Sequence, residues 1–126
     1  IKICSHLFIR LRFKMKLSRL SIVLATWCPH CVPLSLEETK RLAEELKVPY
    51  RVLDIDKPDA VTIADQLVSK YGDNSEDYLV PQVFAEFTDG SIKHIFTGFS
   101  ENTEVTKRHW EDLFNSRLYG QLKSPA

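Results

Sequence analysis

The run Ser21-Ile22-Val23-Leu24-Ala25 is short, apolar and rich in β-branched residues, the pattern of a buried strand. Ahead of it the chain alternates with period two: Leu7, Ile9, Leu11, Phe13, Met15 and Leu17 fall on one side, Arg10, Arg12, Lys14 and Lys16 on the other. That alternation predicts a half-buried strand at a sheet edge, where basic side chains blunt pairing with other chains. The other reading makes this stretch an arm outside the working domain, with a native start at Met15. From Cys31 to about Lys47 the pattern becomes helical. Leu36, Leu42, Ala43 and Leu46 supply the apolar stripe, and Glu37, Glu38, Lys40, Arg41, Glu44 and Glu45 the wet face. Pro33 falls in its early turns and is expected to bend or tighten it. Tyr50 to Asp56 alternates as a second strand, and Pro58-Asp59 opens a second helix running through Val61, Ala64, Val68 and Tyr71 to Gly72. Strand, helix, strand predicts a right-handed crossover and a parallel pair.

The polar stretch Asp73 to Asp77 reads as a loop. It leads to a third strand through Val83 and Phe84, opened by Pro81, because a residue without an N–H belongs at the start or edge of a ladder. Asp89-Gly90 between Phe84–Phe87 and Ile92–Thr97 predicts a hairpin. Gly98 ends it. Ser100 or Thr103 is expected to cap a last helix packed through Val105, His109, Trp110, Leu113 and Leu118. Trp110 and Phe114 read as core, and His109 as a packed or solvent-facing helix residue. The order defines an α/β protein: a central mixed sheet of about four strands flanked by helices, with an extra N-terminal edge strand as an option. At 126 residues this is one domain. Residues 1–16 form the basic extension or edge strand, 17–120 the domain and 121–126 a tail.

Charge changes this picture in one respect. Acidic and basic residues number 17 each, so the whole chain offers no argument for nucleic acid or a membrane surface. Lys2, Arg10, Arg12, Lys14, Lys16 and Arg19 all precede the first acidic residue, Glu37, so a basic arm is joined to an acidic body. No apolar run approaches the ~18 residues of a membrane span. A secretory signal fits poorly, because the apolar stretch after Met15-Lys16 is short and puts the cysteine pair where cleavage belongs. Three cysteines, two of them paired in redox-like spacing, point to a reducing compartment, read as the cytoplasm.

The chemistry lies in Trp27-Cys28-Pro29-His30-Cys31, between the apolar strand and the first helix. Residues i and i+3 in a first helical turn are neighbours, so the two thiols can form and open a small disulfide ring. A helix N-terminus carries unpaired N–H groups and partial positive charge, and Cys-x-x-Cys motifs there lower a thiol pKa from about 8.5 to between ~3.5 and ~7.5. Cys28 is the expected nucleophile and Cys31 the resolving thiol. Pro29 suits the first helical position, and His30 can tune the thiolate. A zinc site needs two further ligands at knuckle-like spacing, which Cys4, His6, His94 and His109 do not offer, so no metal is expected. A purely structural bridge closing so short a loop removes little unfolded-state entropy. Cys4 receives no role.

The element order, the cysteine pair and the proline opening the third strand resemble the thioredoxin fold. Within it the blocks are most similar to glutaredoxins: Cys28-Pro29-His30-Cys31-Val32, Val48-Pro49-Tyr50 through Asp54-Ile55-Asp56, and Val80-Pro81-Gln82-Val83-Phe84. The resemblance spans about Leu17 to Leu118. It implies a cis Val80-Pro81 bond beside the nucleophile, a Val80 backbone that pairs with extended substrate, and a Trp27 that shapes the groove. It implies reduction of protein disulfides, with glutathione or a thioredoxin reductase as donor, no bound cofactor and a monomer. Three positions depart from the pattern. Ala25 replaces the basic residue that holds a glutathione carboxylate in glutaredoxins, Ile22 replaces the buried aspartate of thioredoxins, and Gly98-Phe99-Ser100-Glu101 only loosely echoes the glutaredoxin turn. Pro-His between the cysteines is also the dipeptide of DsbA-type disulfide oxidases, the alternative enzyme reading. A non-catalytic binding module that engages an acidic partner through the basic arm is the alternative outside enzymes.

Overall fold

The computed structural model describes residues 16–73, 78–98 and 102–123. Most of the alternating N-terminal stretch, with Cys4 and His6, lies outside the described residues. Strand β1 (Leu17–Leu24) is the centre of a four-stranded sheet in the order β2-β1-β3-β4. It pairs in parallel with β2 (Tyr50–Asp54), Ile22 opposite Val52, and antiparallel with β3 (Gln82–Phe87), Ile22 opposite Val83. β3 pairs antiparallel with β4 (Ile92–Thr97). The expected mixed sheet is therefore formed. Flanked on both sides, β1 has Leu20, Ile22, Val23 and Leu24 in the core, whereas Tyr50 and Val52 on edge strand β2 are exposed. β2 stops at Asp54 rather than Asp56, because the Asp54 carboxylate accepts the Asp56 N–H at 2.9 Å and turns the chain.

Helix α1 (Leu36–Leu46) ends on Lys47 at φ 58°, and α2 (Pro58–Tyr71) begins with its proline in the first turn as expected. Helix α3 (Thr103–Phe114) is capped by Asn102, whose Oδ1 accepts the Val105 N–H at 3.0 Å. Asn102 rather than Thr103 has the extended backbone that a capping residue needs, and Ser100 lies outside the described residues. Helix α4 (Arg117–Lys123) carries Leu122 into the core, beyond residue 120 where the domain was expected to end. Trp110 on α3 is fully buried and stacks on Phe96 of β4 at 4.0 Å, while His109 points to solvent.

Among the described residues, one buried side-chain hydroxyl in this core lacks a hydrogen-bond partner. Thr39, on the inward face of α1, is fully buried with its hydroxyl unsatisfied. Thr39→Val removes the hydroxyl at constant shape, so stability is expected to rise by about 1 kcal/mol in a urea titration.

The sheet face that bears Arg19 and Ser21 carries a charged cluster. Glu86 accepts from Arg19 at 2.6 Å, from Arg51 at 3.2 Å and from the Ser21 hydroxyl, and Ser21 Oγ accepts from Arg51 Nε at 3.1 Å. Burial pushes the Glu86 carboxyl up, but the hydrogen bonds from Arg19 and Ser21 and the charges of Arg51 and Arg19 outweigh it and hold the group below its usual range. A carboxyl lowered by folding stabilises fully above its unfolded value and loses that contribution as pH falls through the folded one. Wild type is therefore expected to lose stability below about pH 4.5, with Glu86→Gln less stable at neutral pH but flatter through that range in thermal melts.

Candidate active site

Both cysteines lie just past the end of β1, where the buried strand brings the chain to the edge of the core. The Cys28 carbonyl accepts the N–H groups of Cys31 at 3.0 Å and Val32 at 3.1 Å, so one helical turn begins at Cys28. It does not continue as the uninterrupted helix expected from Cys31 to Lys47. Val32 is extended, at φ −130° and ψ 124°, and a broken π-like segment (His30–Ser35) precedes α1. The cause is Pro33: its ring excludes the preceding residue from helical backbone angles, and it has no N–H to donate. The Leu36 N–H bridges the break by donating to the carbonyls of Cys31 and Pro33. Pro29 stands just before this segment, already at helical angles (φ −68°, ψ −22°).

Both thiols are buried, to different degrees. Cys28 is 7% exposed and Cys31 is fully enclosed, both in the free thiol form. Burial pushes the Cys31 thiol up to about 12. The Ala25 N–H, 3.5 Å from its sulfur, pulls the other way, while a hydrogen bond to Cys28 and the charge Cys28 would carry push with burial. Cys31 thus holds its proton and faces Cys28, the less deeply buried residue of the two. Ile22 is fully buried, so the position that a carboxylate occupies in thioredoxins is apolar here.

Other elements fix the surroundings of the pair. Trp27 is 69% exposed, and its Nε1 donates to Asp56 Oδ2 at 3.0 Å, tying the indole to the turn after β2. His30 Nδ1 lies 2.7 Å from Thr106 Oγ1 on α3, and Trp110 Nε1 donates to Ser35 Oγ at 2.9 Å. The last long helix is thus fastened to the motif segment at two places. The Val80-Pro81 bond is cis, as the resemblance implies, and Val32-Pro33 is cis as well. Pro81 is buried, and its carbonyl accepts the Gly98 N–H at 2.9 Å. A Cβ on Gly98 would lie 2.8 Å from Pro81 Cγ, so β4 leaves the sheet in close contact with the proline. Gln82, fully buried, braces the approach to that proline: its Nε2 donates to the Leu79 carbonyl at 2.9 Å and the Asp73 carbonyl at 3.2 Å, and its Oε1 accepts the Asp73 N–H at 2.9 Å.

Motif and Pro81 loop are connected through a chain of hydrogen bonds, from His30 to Thr106, from Thr106 Oγ1 to the Gly98 carbonyl at 2.7 Å, and from the Gly98 N–H to Pro81. Sequence patterns did not single out Thr106, Ser35 or Asp56, and offered Gln82 only as part of the Val80-Pro81-Gln82-Val83-Phe84 block. Among the described residues, no three His, Cys, Asp or Glu side chains gather as metal ligands, and no helix is long and apolar enough to cross a membrane.

A four-stranded mixed sheet with a parallel first pair, helices on its flanks and a cis proline ahead of β3 is a thioredoxin fold, and it carries a close Cys-x-x-Cys pair beyond its central strand. Among solved structures the chain is similar to thioredoxin O1 from Arabidopsis thaliana in its oxidized state, at 23% identity and a TM-score of 0.43, over 87% of this chain and 92% of that one. No family model and no curated protein matches it.

Proposed function

We propose that this protein is a thiol–disulfide oxidoreductase that reduces protein disulfides, with Cys28 attacking and Cys31 resolving. The observation that carries the reading is the pair itself: two free thiols in contact just past β1, Cys31 with no exposure and a thiol pushed up by burial, and Cys28 with the small exposure that the pair retains. The Cys28 thiolate attacks one substrate sulfur, and the substrate S–S bond breaks as the Cys28–substrate disulfide forms. The departing substrate sulfur takes up a proton. Cys31 then gives its proton to water or to the second leaving sulfur and attacks Cys28, releasing the substrate as a dithiol. Two electrons have moved from the pair to the substrate, and the Cys28–Cys31 disulfide awaits a donor. Trp27 and the Val80-Pro81 backbone form the substrate face, and Pro29 and His30 shape the motif turn.

For the donor we favour a thioredoxin reductase over glutathione, although the sequence blocks resemble glutaredoxins. Ala25 is fully buried and its N–H is directed at the Cys31 sulfur, so that position offers no cation to a glutathione carboxylate. The reaction fits a reducing compartment such as the cytoplasm. Reduction of the oxidised protein by glutathione, set beside reduction by a thioredoxin reductase with its nicotinamide cofactor, tests this. Rapid reduction by the reductase and slow reduction by glutathione is expected. The reverse order would move the protein to the glutaredoxin branch, and reduction by neither, with no activity on a model disulfide, would remove the oxidoreductase reading.

A further inference from the structure

We propose that Thr106 is a positioning residue for His30, holding its imidazole with the proton on Nδ1 so that Nε2 is the ring's sole site of proton exchange. The inference rests on the oxidoreductase reading for its functional meaning, but its structural part stands on hydrogen-bond accounting alone. Thr106 Oγ1 lies 2.7 Å from the Gly98 carbonyl oxygen and 2.7 Å from His30 Nδ1. A carbonyl oxygen cannot donate, so the proton between Oγ1 and Gly98 must be the threonine's own, and a hydroxyl has only one. The proton between Oγ1 and Nδ1 must then belong to the imidazole. The opposite arrangement would set two oxygen lone pairs against each other within a fully buried residue, leaving the Gly98 contact without a proton.

The consequence reaches the motif because His30 lies between the two cysteines. A neutral imidazole has one N–H and one basic nitrogen, and the partner of the first decides which nitrogen is the second. With Nδ1–H spent on Thr106, proton uptake and release at His30 run through Nε2 in every cycle. The same hydroxyl donates to the Gly98 carbonyl, and the Gly98 N–H donates to the Pro81 carbonyl, so one side chain bears on both the ring and the proline loop.

The test uses the full chain with Thr106→Val, Thr106→Ser and His30→Ala. Long-range 15N–1H spectra of the ring nitrogens, with the His30 signals assigned by their loss in His30→Ala, are expected to show protonation at Nδ1 in neutral wild type and in Thr106→Ser. In Thr106→Val that preference is expected to be lost. In turnover of a model disulfide over roughly pH 5 to 9, Thr106→Val is expected to reshape the pH profile toward that of His30→Ala, Thr106→Ser to restore it, and Thr106→Val to leave the shape of the profile unchanged in a His30→Ala background, where its loss of the Gly98 contact can lower turnover only uniformly across pH. A wild-type ring protonated at Nε2, or the same Thr106→Val change of profile shape with and without His30, would overturn the proposal. The wild-type and serine spectra decide it even if the valine variant does not fold. Failure of the oxidoreductase reading is recognised separately, by full turnover in Cys28→Ser, which leaves the ring spectra unaffected.

Discussion

Cys28→Ser is expected to lower turnover of a model disulfide by about 10³-fold or more, the scale on which removal of a catalytic nucleophile acts. The hydroxyl replaces the sulfur that must form the first bond, and Cys31, fully buried and with its thiol pushed up to about 12, cannot take over from inside. Cys31→Ser is expected to behave differently. Attack by Cys28 still proceeds, but nothing expels the substrate, so mixed disulfides accumulate and can be mapped to Cys28 by digestion under non-reducing conditions and mass spectrometry. Equal accumulation in both variants, or accumulation at Cys31, would reverse the assignment of roles.

The second large effect concerns stability rather than chemistry. Gln82→Leu replaces a buried amide that serves the Leu79 carbonyl and both backbone groups of Asp73, and it supplies none of those bonds itself. Three hydrogen bonds made by a fully buried side chain are lost at once, each worth about 0.5–1.5 kcal/mol net, so a loss of ~2 kcal/mol is expected, read as a lower urea midpoint at unchanged slope. Turnover should fall as well, because Leu79 leads directly into Val80 and Pro81. Gln82→Glu is expected to be as harmful near neutral pH, since a carboxylate meets the Leu79 and Asp73 carbonyls where an NH₂ group had donated. A midpoint within experimental error of wild type for Gln82→Leu would show that the loop is held by other contacts.

These two sites were unequally visible in the sequence. The cysteine pair announces itself by spacing, and the strands by period, because both signals are local. Pro33 could be read as a disturbance of the first helix, but the extent of the break could not. A proline bends a helix when neighbouring turns absorb it and interrupts the helix when the residue before it turns extended, as Val32 does. The contacts that aim the motif left no trace in local pattern. His30 and Thr106 are 76 residues apart and Ser35 and Trp110 are 75 apart, and no periodicity links positions that meet only when the last helix docks. Gln82 was legible as part of a block with Pro81, yet its role as a brace follows from where the loop after α2 happens to pass.

The fastening of α3 to the motif by two bonds bears on how short a working version of this protein can be. A fragment ending after β4 would retain all four strands of the described sheet and both cysteines of the motif, yet the partners of His30 and Ser35 would be gone, together with the indole that covers Phe96. Trimming from the carboxyl end should therefore produce a threshold instead of a gradual decline, with competence disappearing once the cut passes Trp110 and then Thr106. Fusions or tags are best attached beyond Lys123, and inserts best kept away from the segment that joins β4 to α3.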